Sequence, residues 1–552
     1  MKRLAVNRLY CVVTILALIV GLSACAQGGA QPTAAPAGGP VASVEGKYDP
    51  PIEVTSAISL NPDTKFQNGD DISNNVWTRA YLDELGIRLK YQWTVDGSQY
   101  TQKLNMVIAS NSLPDFFVCN AEQLAMLHDS GMIADMTSAY DQYASADTRK
   151  VIEQDPTGYK ASFIDGQMMG LPSTDSSPGG AAVLWIRNDW LKKLNIPQPK
   201  TMQDLVAAAQ AFVEKDPDGN GAKDTVGLAF CKNLWSSFAD MTGIFNAYHA
   251  YPNIWIKDAS GRVVYGSVQP EMKPALRLLQ DMYRQGLIDK EFGTKDAVKV
   301  SEDALSGRVG IEFGAWWNPS WPLQTSKIKD PNCDWVPMNI LSADDKPALA
   351  QYNCAVGSFI VANKNFQHPE ALVKMMNMWT GIILHPTVEK ALKYVADYNN
   401  PGVVYYKYIT VFAWEPNGNI NKWEHMRDAI KTGIMSDLTL EEQLTLQVID
   451  KYTKGDTTKW EGYIEHGPEG SMSCIQRVRD GAGLCNLFYG AATPMMADKM
   501  PALVKMQDET IMSIILGADV DSTFDKFVSD FRKLGGDAIT EEVNQWYQTN
   551  YK

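Results

Sequence analysis

Ile52-Glu53-Val54-Thr55-Ser56-Ala57-Ile58-Ser59-Leu60 alternates apolar and polar side chains over most of its length. That is the pattern of a strand with one face in a core. Residues 77–85 then show helical spacing, Leu89-Lys90-Tyr91-Gln92-Trp93-Thr94-Val95 reads as a second strand, residues 100–109 read as a helix, and Asp115-Phe116-Phe117-Val118 is a short buried strand. Strand, helix, strand, helix, strand is the rhythm of a parallel α/β sheet.

The same rhythm resumes downstream. Gly166-Gln167-Met168-Met169-Gly170-Leu171-Pro172 is a turn feeding an extended segment, followed by a glycine- and serine-rich loop at 173–180. Strands are expected at 181–186, 226–230, 309–313 and 357–362, and helices at 187–194, 202–214, 270–285, 301–306 and 369–379, with Thr201 as an N-cap. The last third is mostly helical, over 439–453, 501–517, 521–534 and 538–550. Strand-rich blocks at about 50–170 and 180–350, each followed by returning segments, predict two α/β lobes with a small-molecule cleft between them.

Toward the amino terminus, Lys2, Arg3 and Arg8 precede the apolar run 9–22, which ends in Leu22-Ser23-Ala24-Cys25. A basic stretch, an apolar stretch and small residues make an export signal. The run is short for a membrane span, which takes about 20 apolar residues. A cysteine directly after the small residues resembles a bacterial lipobox, which implies lipid on the Cys25 thiol and cleavage before it. Residues 26–46 are mostly Ala, Gly, Pro, Gln and Ser, too polar and small to bury surface, and read as a flexible tether.

The chain has 552 residues, 50 basic and 64 acidic side chains, and a net charge of −14. Losing residues 1–24 removes Lys2, Arg3 and Arg8 and no acid, so the mature body is more acidic still. An acidic body argues against nucleic acid or an anionic membrane surface as partner. Of eight cysteines none forms a C-x-x-C pair, which disfavours a zinc ribbon or a thioredoxin-like site. Cys474–Cys485 and Cys333–Cys354 are possible disulfides, with buried free thiols the alternative.

Asp216-Pro217-Asp218-Gly219-Asn220-Gly221-Ala222-Lys223-Asp224 places oxygen ligands at loop positions 1, 3, 5 and 9, glycine at 6 and the Ala222 carbonyl at 7. This is most of a calcium loop, with Gly227 where the bidentate glutamate belongs. Structural Ca²⁺ on Asp216, Asp218, Asn220, Ala222 and Asp224 is one reading; a metal-free Asx/Gly turn is the other. No H-E-x-x-H, nucleophile elbow or P-loop is present, and the pairs Glu441–Glu442 and Glu541–Glu542 read as solvated helix faces. Aromatic side chains are the stronger clue, with 15 Trp and 23 Tyr. The densest segment, Phe313-Gly314-Ala315-Trp316-Trp317-Asn318-Pro319-Ser320-Trp321, directly follows a strand. A pyranose offers an apolar face to such indoles and hydroxyls to Asn, Asp and Arg; packing in the core is the competing role for each Trp.

Taken in order, Leu22-Ser23-Ala24-Cys25, Leu113-Pro114-Asp115-Phe116, Gly170-Leu171-Pro172, Ile186-Arg187-Asn188-Asp189-Trp190-Leu191, the 216–224 loop, Gly314-Ala315-Trp316, the stretch from Phe524-Asp525-Lys526-Phe527 to Lys533-Leu534-Gly535-Gly536, and Val543-Asn544-Gln545-Trp546-Tyr547 resemble bacterial extracellular solute-binding proteins, family 1. The resemblance is to large oligosaccharide-binding lipoproteins of ABC import in Gram-positive bacteria. It implies an α/β, two-lobed periplasmic-binding-protein-like fold with a hinge, an interlobe cleft and extra C-terminal helices. The divisions it suggests are a signal peptide at 1–24, a tether at 25–47, amino-lobe segments at 48–172 and 356–435, and carboxy-lobe segments at 173–355 and 436–552. It places Asn75, Trp77, Asp115, Trp235, Trp316, Trp317 and Trp414 at the ligand, Cys25 in a lipid anchor on the extracellular face, and an ABC permease as partner. A peptide or other non-sugar solute, a sensor-associated role and a secreted carbohydrate-active enzyme are the alternatives.

Overall fold

The computed structural model describes residues 41–42, 46–60, 64–174, 177–353, 356–396, 403–490 and 492–550. The 1–24 leader, Cys25, most of the 25–47 tether and Cys354 lie outside them.

Strand β1 (Ile52–Ser59) pairs in parallel with β2 (Ile87–Val95), from Ile52 opposite Ile87 to Ser59 opposite Val95. Between them lies α1 (Val76–Ala80), started by Asn75, whose side chain accepts from the Trp77 and Thr78 amides. Helix α2 (Gly97–Ala109) leads to β3 (Phe116–Cys119), which lies against β1. The chain then runs through β4 (Leu171–Thr174) into a second sheet. That sheet contains β5 (Val183–Arg187), β6 (Val226–Leu228), β7 (Val309–Gly314) and β8 (Trp335–Met338) in the order β6-β7-β5-β8, with α3 (Met202–Lys215) and α4 (Met272–Gln285) in the connections. Strands β6 and β7 are parallel, while β5 is antiparallel to β7 and β8. The parallel arrangement read from sequence therefore holds for β1/β2, a two-stranded sheet of its own, and for β6/β7 inside the mixed four-stranded sheet.

After β9 (Ala350–Tyr352) the chain returns as β10 (Val356–Ala362), which sits antiparallel between β3 and β4, and continues into α5 (Glu370–Leu384). It leaves again through α6 (Gly418–Thr432), α7 (Trp460–His466), α8 (Ser471–Arg477), β11 (Gly483–Cys485, parallel to β9), α9 (Pro494–Ile515), α10 (Val520–Phe531) and α11 (Asp537–Asn550).

Two lobes follow from two sets of cores. Trp77, Leu89, Phe116, Ile360, Leu372, Trp379 and Val411 share the main amino-lobe core. Every residue of β5 is buried because both faces of its sheet are covered. Leu184 and Ile186 pack with Phe212, Ile311, Ile511 and Phe524, whereas Val183 and Trp185 pack with Trp335, Ile420, Trp423 and Met472 on the other side. Ile420 and Trp423 of the 356–435 segment thus pack on the sheet that contains β5. The hinge is a bundle of crossing segments. Thr174 Oγ1 donates to the Trp414 carbonyl at 2.7 Å, Ser173 Oγ to the Phe412 carbonyl at 3.0 Å and Ser177 Oγ to the Asn353 carbonyl at 3.0 Å.

Cys119, Cys231, Cys333, Cys474 and Cys485 are free thiols. The Cys474–Cys485 bridge is not formed, and the Cys333–Cys354 pair falls partly outside the described residues. Burial pushes the Cys119 thiol above its ordinary range and those of Cys333 and Cys474 up to about 11, so these thiols are unreactive packing groups. No helix among the described residues is long and apolar enough to cross a membrane.

Candidate functional site

In open α/β sheets ligands bind beyond the carboxyl ends of the parallel strands, where loops diverge and backbone groups are free. In the amino lobe that end holds a cavity of about 440 Å³, lined by Ser59 at the end of β1, Gly97, Tyr100 and Thr101 at the start of α2, Ser173 and Ser358 of the sheet, and Tyr406, Thr410 and Phe412 of the returning segment. Hydroxyl and aromatic side chains both line it. Thr410 Oγ1 is buried beside the Tyr91 hydroxyl, behind the cavity wall.

In the carboxy lobe the equivalent end carries two loops, 229–241 after β6 and 315–321 after β7. They are joined by Ala315 N donating to the Ser237 carbonyl and Asp240 N to the Phe313 carbonyl, both at 2.8 Å. Trp317 and Trp321 are 36% and 40% exposed, high for indoles. Trp316 is partly buried, its ring 6.1 Å from that of His466 and tilted by 32°, and its carbonyl accepts from Ser471 Oγ at 2.7 Å. Burial pushes His466 down to about 4, so the imidazole under Trp316 is neutral at physiological pH.

The residues expected at the ligand divide sharply. Trp317 is exposed on its loop. Trp77 is fully buried, its Nε1 donating to the Tyr394 carbonyl at 3.2 Å and its ring packed on Tyr81, Trp379 and Tyr394; it is a core residue, not a cleft residue. Asn75 is also fully buried and is committed as a helix cap. Asp115 directly precedes β3 and its Oδ2 accepts from both the amide and hydroxyl of Thr55 at 2.7 Å, which ties the start of β3 to β1. Trp235 is partly buried against the carboxy-lobe core and donates to Asp508 Oδ1 at 2.8 Å. Trp414 stands at the hinge, edge-on to Trp379 and Tyr406.

Sequence reasoning missed Tyr100, Tyr406, Tyr489 and Trp546. Tyr489 follows β11, yet it is buried in a cluster otherwise built from amino-lobe residues such as Phe117, Leu124 and Val361, with Trp546 of α11 packed against it. Trp546 and Tyr489 rings meet edge-to-face at 4.5 Å. Gly490 allows this approach, since a Cβ there would lie 2.5 Å from the Trp546 indole nitrogen. The only sequence sign was Trp546 in an amphipathic terminal helix.

In the 216–224 loop, Asp216 accepts from the amides of Gly219 (3.2 Å) and Gly221 (3.0 Å). The Asn220 amide donates to Asp218 (2.8 Å) and Asp224 (3.0 Å). The positive φ values of Asp216, Gly219 and Gly221 wind the chain around these oxygens. Burial and a hydrogen bond with Asp216 raise the Asp218 carboxyl, while that bond and the loop amides lower Asp216. Asp218 Oδ1 and Thr225 Oγ1 are buried without partners, so the oxygens fit a hard cation in part. No group of three or more His, Cys, Asp or Glu among the described residues is gathered as a metal shell.

Hydroxyls and aromatics thus gather at the strand ends of both lobes of a two-lobed α/β fold. The chain belongs to the bacterial extracellular solute-binding protein family, whose model matches residues 72–381. Lipoprotein LipO of Bacillus subtilis is 27% identical over 228 residues, 41% of this chain and 44% of that protein. The fructooligosaccharide ABC transporter substrate-binding protein FusA of Streptococcus pneumoniae is 26% identical over 244 residues, 42% of this chain and 44% of its own. These alignments therefore span less than half the length of either relative. Among solved structures, an HMO-binding ABC-transporter-associated solute-binding protein from Bifidobacterium longum infantis superposes with a TM-score of 0.67 at 16% identity, covering 91% of this chain and 99% of that one. An S. pneumoniae FusA EF-hand mutant in complex with fructo-nystose gives 0.63 at 15%, covering 90% and 99%. At such identity the likeness shows the fold.

Proposed function

We propose that the protein is the lipid-anchored, extracellular solute-binding component of an ABC importer and that it captures an oligosaccharide by lobe closure. The observation that carries this is the pairing of a hydroxyl-lined, aromatic cavity in the amino lobe with the exposed Trp317 and Trp321 at the strand ends of the carboxy lobe. A sugar ring needs both an aromatic plane and hydroxyl partners. The role is capture without bond chemistry: solute contacts spanning both lobes favour the closed state, which a permease in the membrane recognises. Relatives named for fructooligosaccharides and HMO support the saccharide reading. The lipobox-like Leu22-Ser23-Ala24-Cys25 supports anchoring through Cys25 on the outer face of the cell membrane.

The same reading includes a structural Ca²⁺ in the loop, held by Asp216, Asp218, Asn220, Asp224 and the Ala222 carbonyl. Its role is to lock the turn between α3 and β6. The orphan Asp218 oxygen and the EF-hand described in FusA support it.

Titration calorimetry against neutral and acidic oligosaccharides, short peptides and amino acids tests the function. Saturable binding of at least one saccharide is expected, with the saccharide recovered intact. Binding confined to peptides, or turnover of the saccharide, would overturn it.

A further inference from the structure

The two loops of the carboxy-lobe wall are tied by more than backbone bonds. Glu312 is fully buried on β7. Its Oε2 accepts from the Ala239 amide at 3.2 Å, on the loop that carries Trp235. Its Oε1 accepts from the Asn318 side chain at 3.0 Å, on the loop that carries Trp316 and Trp317. Ala239 sits at φ 56°, a left-handed conformation that costs a residue with a Cβ and persists only when its surroundings hold it. Gly314 is obligatory for the arrangement, because a Cβ there would come within 2.2 Å of the Asn318 amide nitrogen and 2.6 Å of the Ser237 carbonyl. The far side of the indole loop is fixed separately, by Ser320 N and Oγ donating to Glu465 at 3.1 and 2.7 Å.

We propose that Glu312 is the positioning residue of the carboxy-lobe wall: its carboxyl clamps the two aromatic loops together and so sets the surface that meets the solute. The inference rests on the saccharide-capture reading for its link to affinity, though the clamp itself does not.

Burial pushes Glu312 up to about 8, so at neutral pH it is mostly a protonated acid. A protonated carboxyl both donates and accepts. Asn318 Oδ1 is buried without a partner, and turning the amide over presents it to the Glu312 proton. Glutamine has the same shape and the same donor and acceptor, so it should replace the protonated clamp, whereas alanine should not. The titratable neighbour is Asp240, from the Ala239 loop, which burial pushes up to about 7; Trp185 of β5 faces Glu312 across the sheet, and Asn318 closes the remaining side. Glu465 and His466 hold the outer edge of the indole loop.

The test labels the protein with 5-fluorotryptophan, assigns the Trp317 resonance with W317F, and measures saccharide affinity by calorimetry. In the wild type the Trp317 resonance should shift with a midpoint near pH 8, a shift absent in Glu312→Gln and retained in Asp240→Asn. At pH 7, Glu312→Gln should bind within about twofold of wild type, and Glu312→Ala should bind about tenfold or more weakly. If Glu312→Ala does not fold, Asn318→Ala, which removes one arm of the clamp, is read the same way. A folded alanine variant with wild-type affinity and an unmoved Trp317 resonance overturns the proposal, as does a glutamine variant as impaired as alanine. Should no saccharide bind at all, the functional reading fails while the Trp317 resonance still decides the clamp.

Discussion

At the scale of single residues, local pattern and final role separate most clearly among the tryptophans. Trp77 and Trp317 both read as indoles beside the end of a regular element, and nothing within ten residues says which way either ring points. The fold buries Trp77 among Tyr81, Trp379 and Tyr394 and leaves Trp317 in solvent. Opposite outcomes follow. Trp77→Ala should cost about 3–5 kcal/mol of unfolding free energy, the usual range for deleting a buried aromatic, measured by urea titration. Trp317→Ala should leave that curve within about 0.5 kcal/mol, as exposed sites do, and weaken saccharide binding about tenfold. A Trp317 variant with unchanged affinity would remove that residue from the site. Asn75 and Asp115 were legible as polar residues near strand ends but not as a cap and an inter-strand tie, because the groups that consume them are fixed only by tertiary packing.

Among elements, those with a strong internal period were legible. Strands β1, β2 and β7 and helices α3 and α4 fall where alternation or amphipathic spacing puts them, within a residue or two. The mixed sheets were not, since strand direction depends on where the chain re-enters a lobe. Helix α7 shows how an element's packing creates a pH dependence. It presents the buried Glu465 to Ser320, and burial pushes that carboxyl up to about 8, against an unfolded value of about 4.3. A carboxyl raised by folding stabilises fully below its unfolded value, and that contribution is lost as pH rises to and through about 8. Stability measured from pH 5 to 9 should therefore decline, and Glu465→Gln should flatten the decline; an identical slope in the variant would show that Glu465 does not titrate there. The 216–224 loop gives a second test at this scale. Calcium should raise the melting temperature of the wild type by linkage, and Asp218→Asn should reduce that rise. A wild-type melt that ignores added calcium would leave the loop a metal-free turn.

For the whole molecule, the two-lobed division was legible from the repeated α/β rhythm, while the contacts that relate the lobes were not. Tyr489 and Trp546 stand far along the chain from Phe117 and Val361, and no periodicity links them. Their packing joins β11 and α11 to an amino-lobe cluster beside the crossing segment at Asn353, whose side chain Asn486 reaches at 3.1 Å. We propose that this contact favours the arrangement that solute prefers. Removing it imposes a conformational cost on binding, because apparent affinity scales with the fraction of competent molecules. Tyr489→Ala should therefore increase the radius of gyration of the solute-free protein in X-ray scattering, and saturating saccharide should bring it back to the wild-type bound value. Its dissociation constant should rise about threefold to tenfold although Tyr489 is packed in the protein and not exposed to solute. If radius and affinity both stay as in the wild type, the Tyr489–Trp546 contact is packing alone.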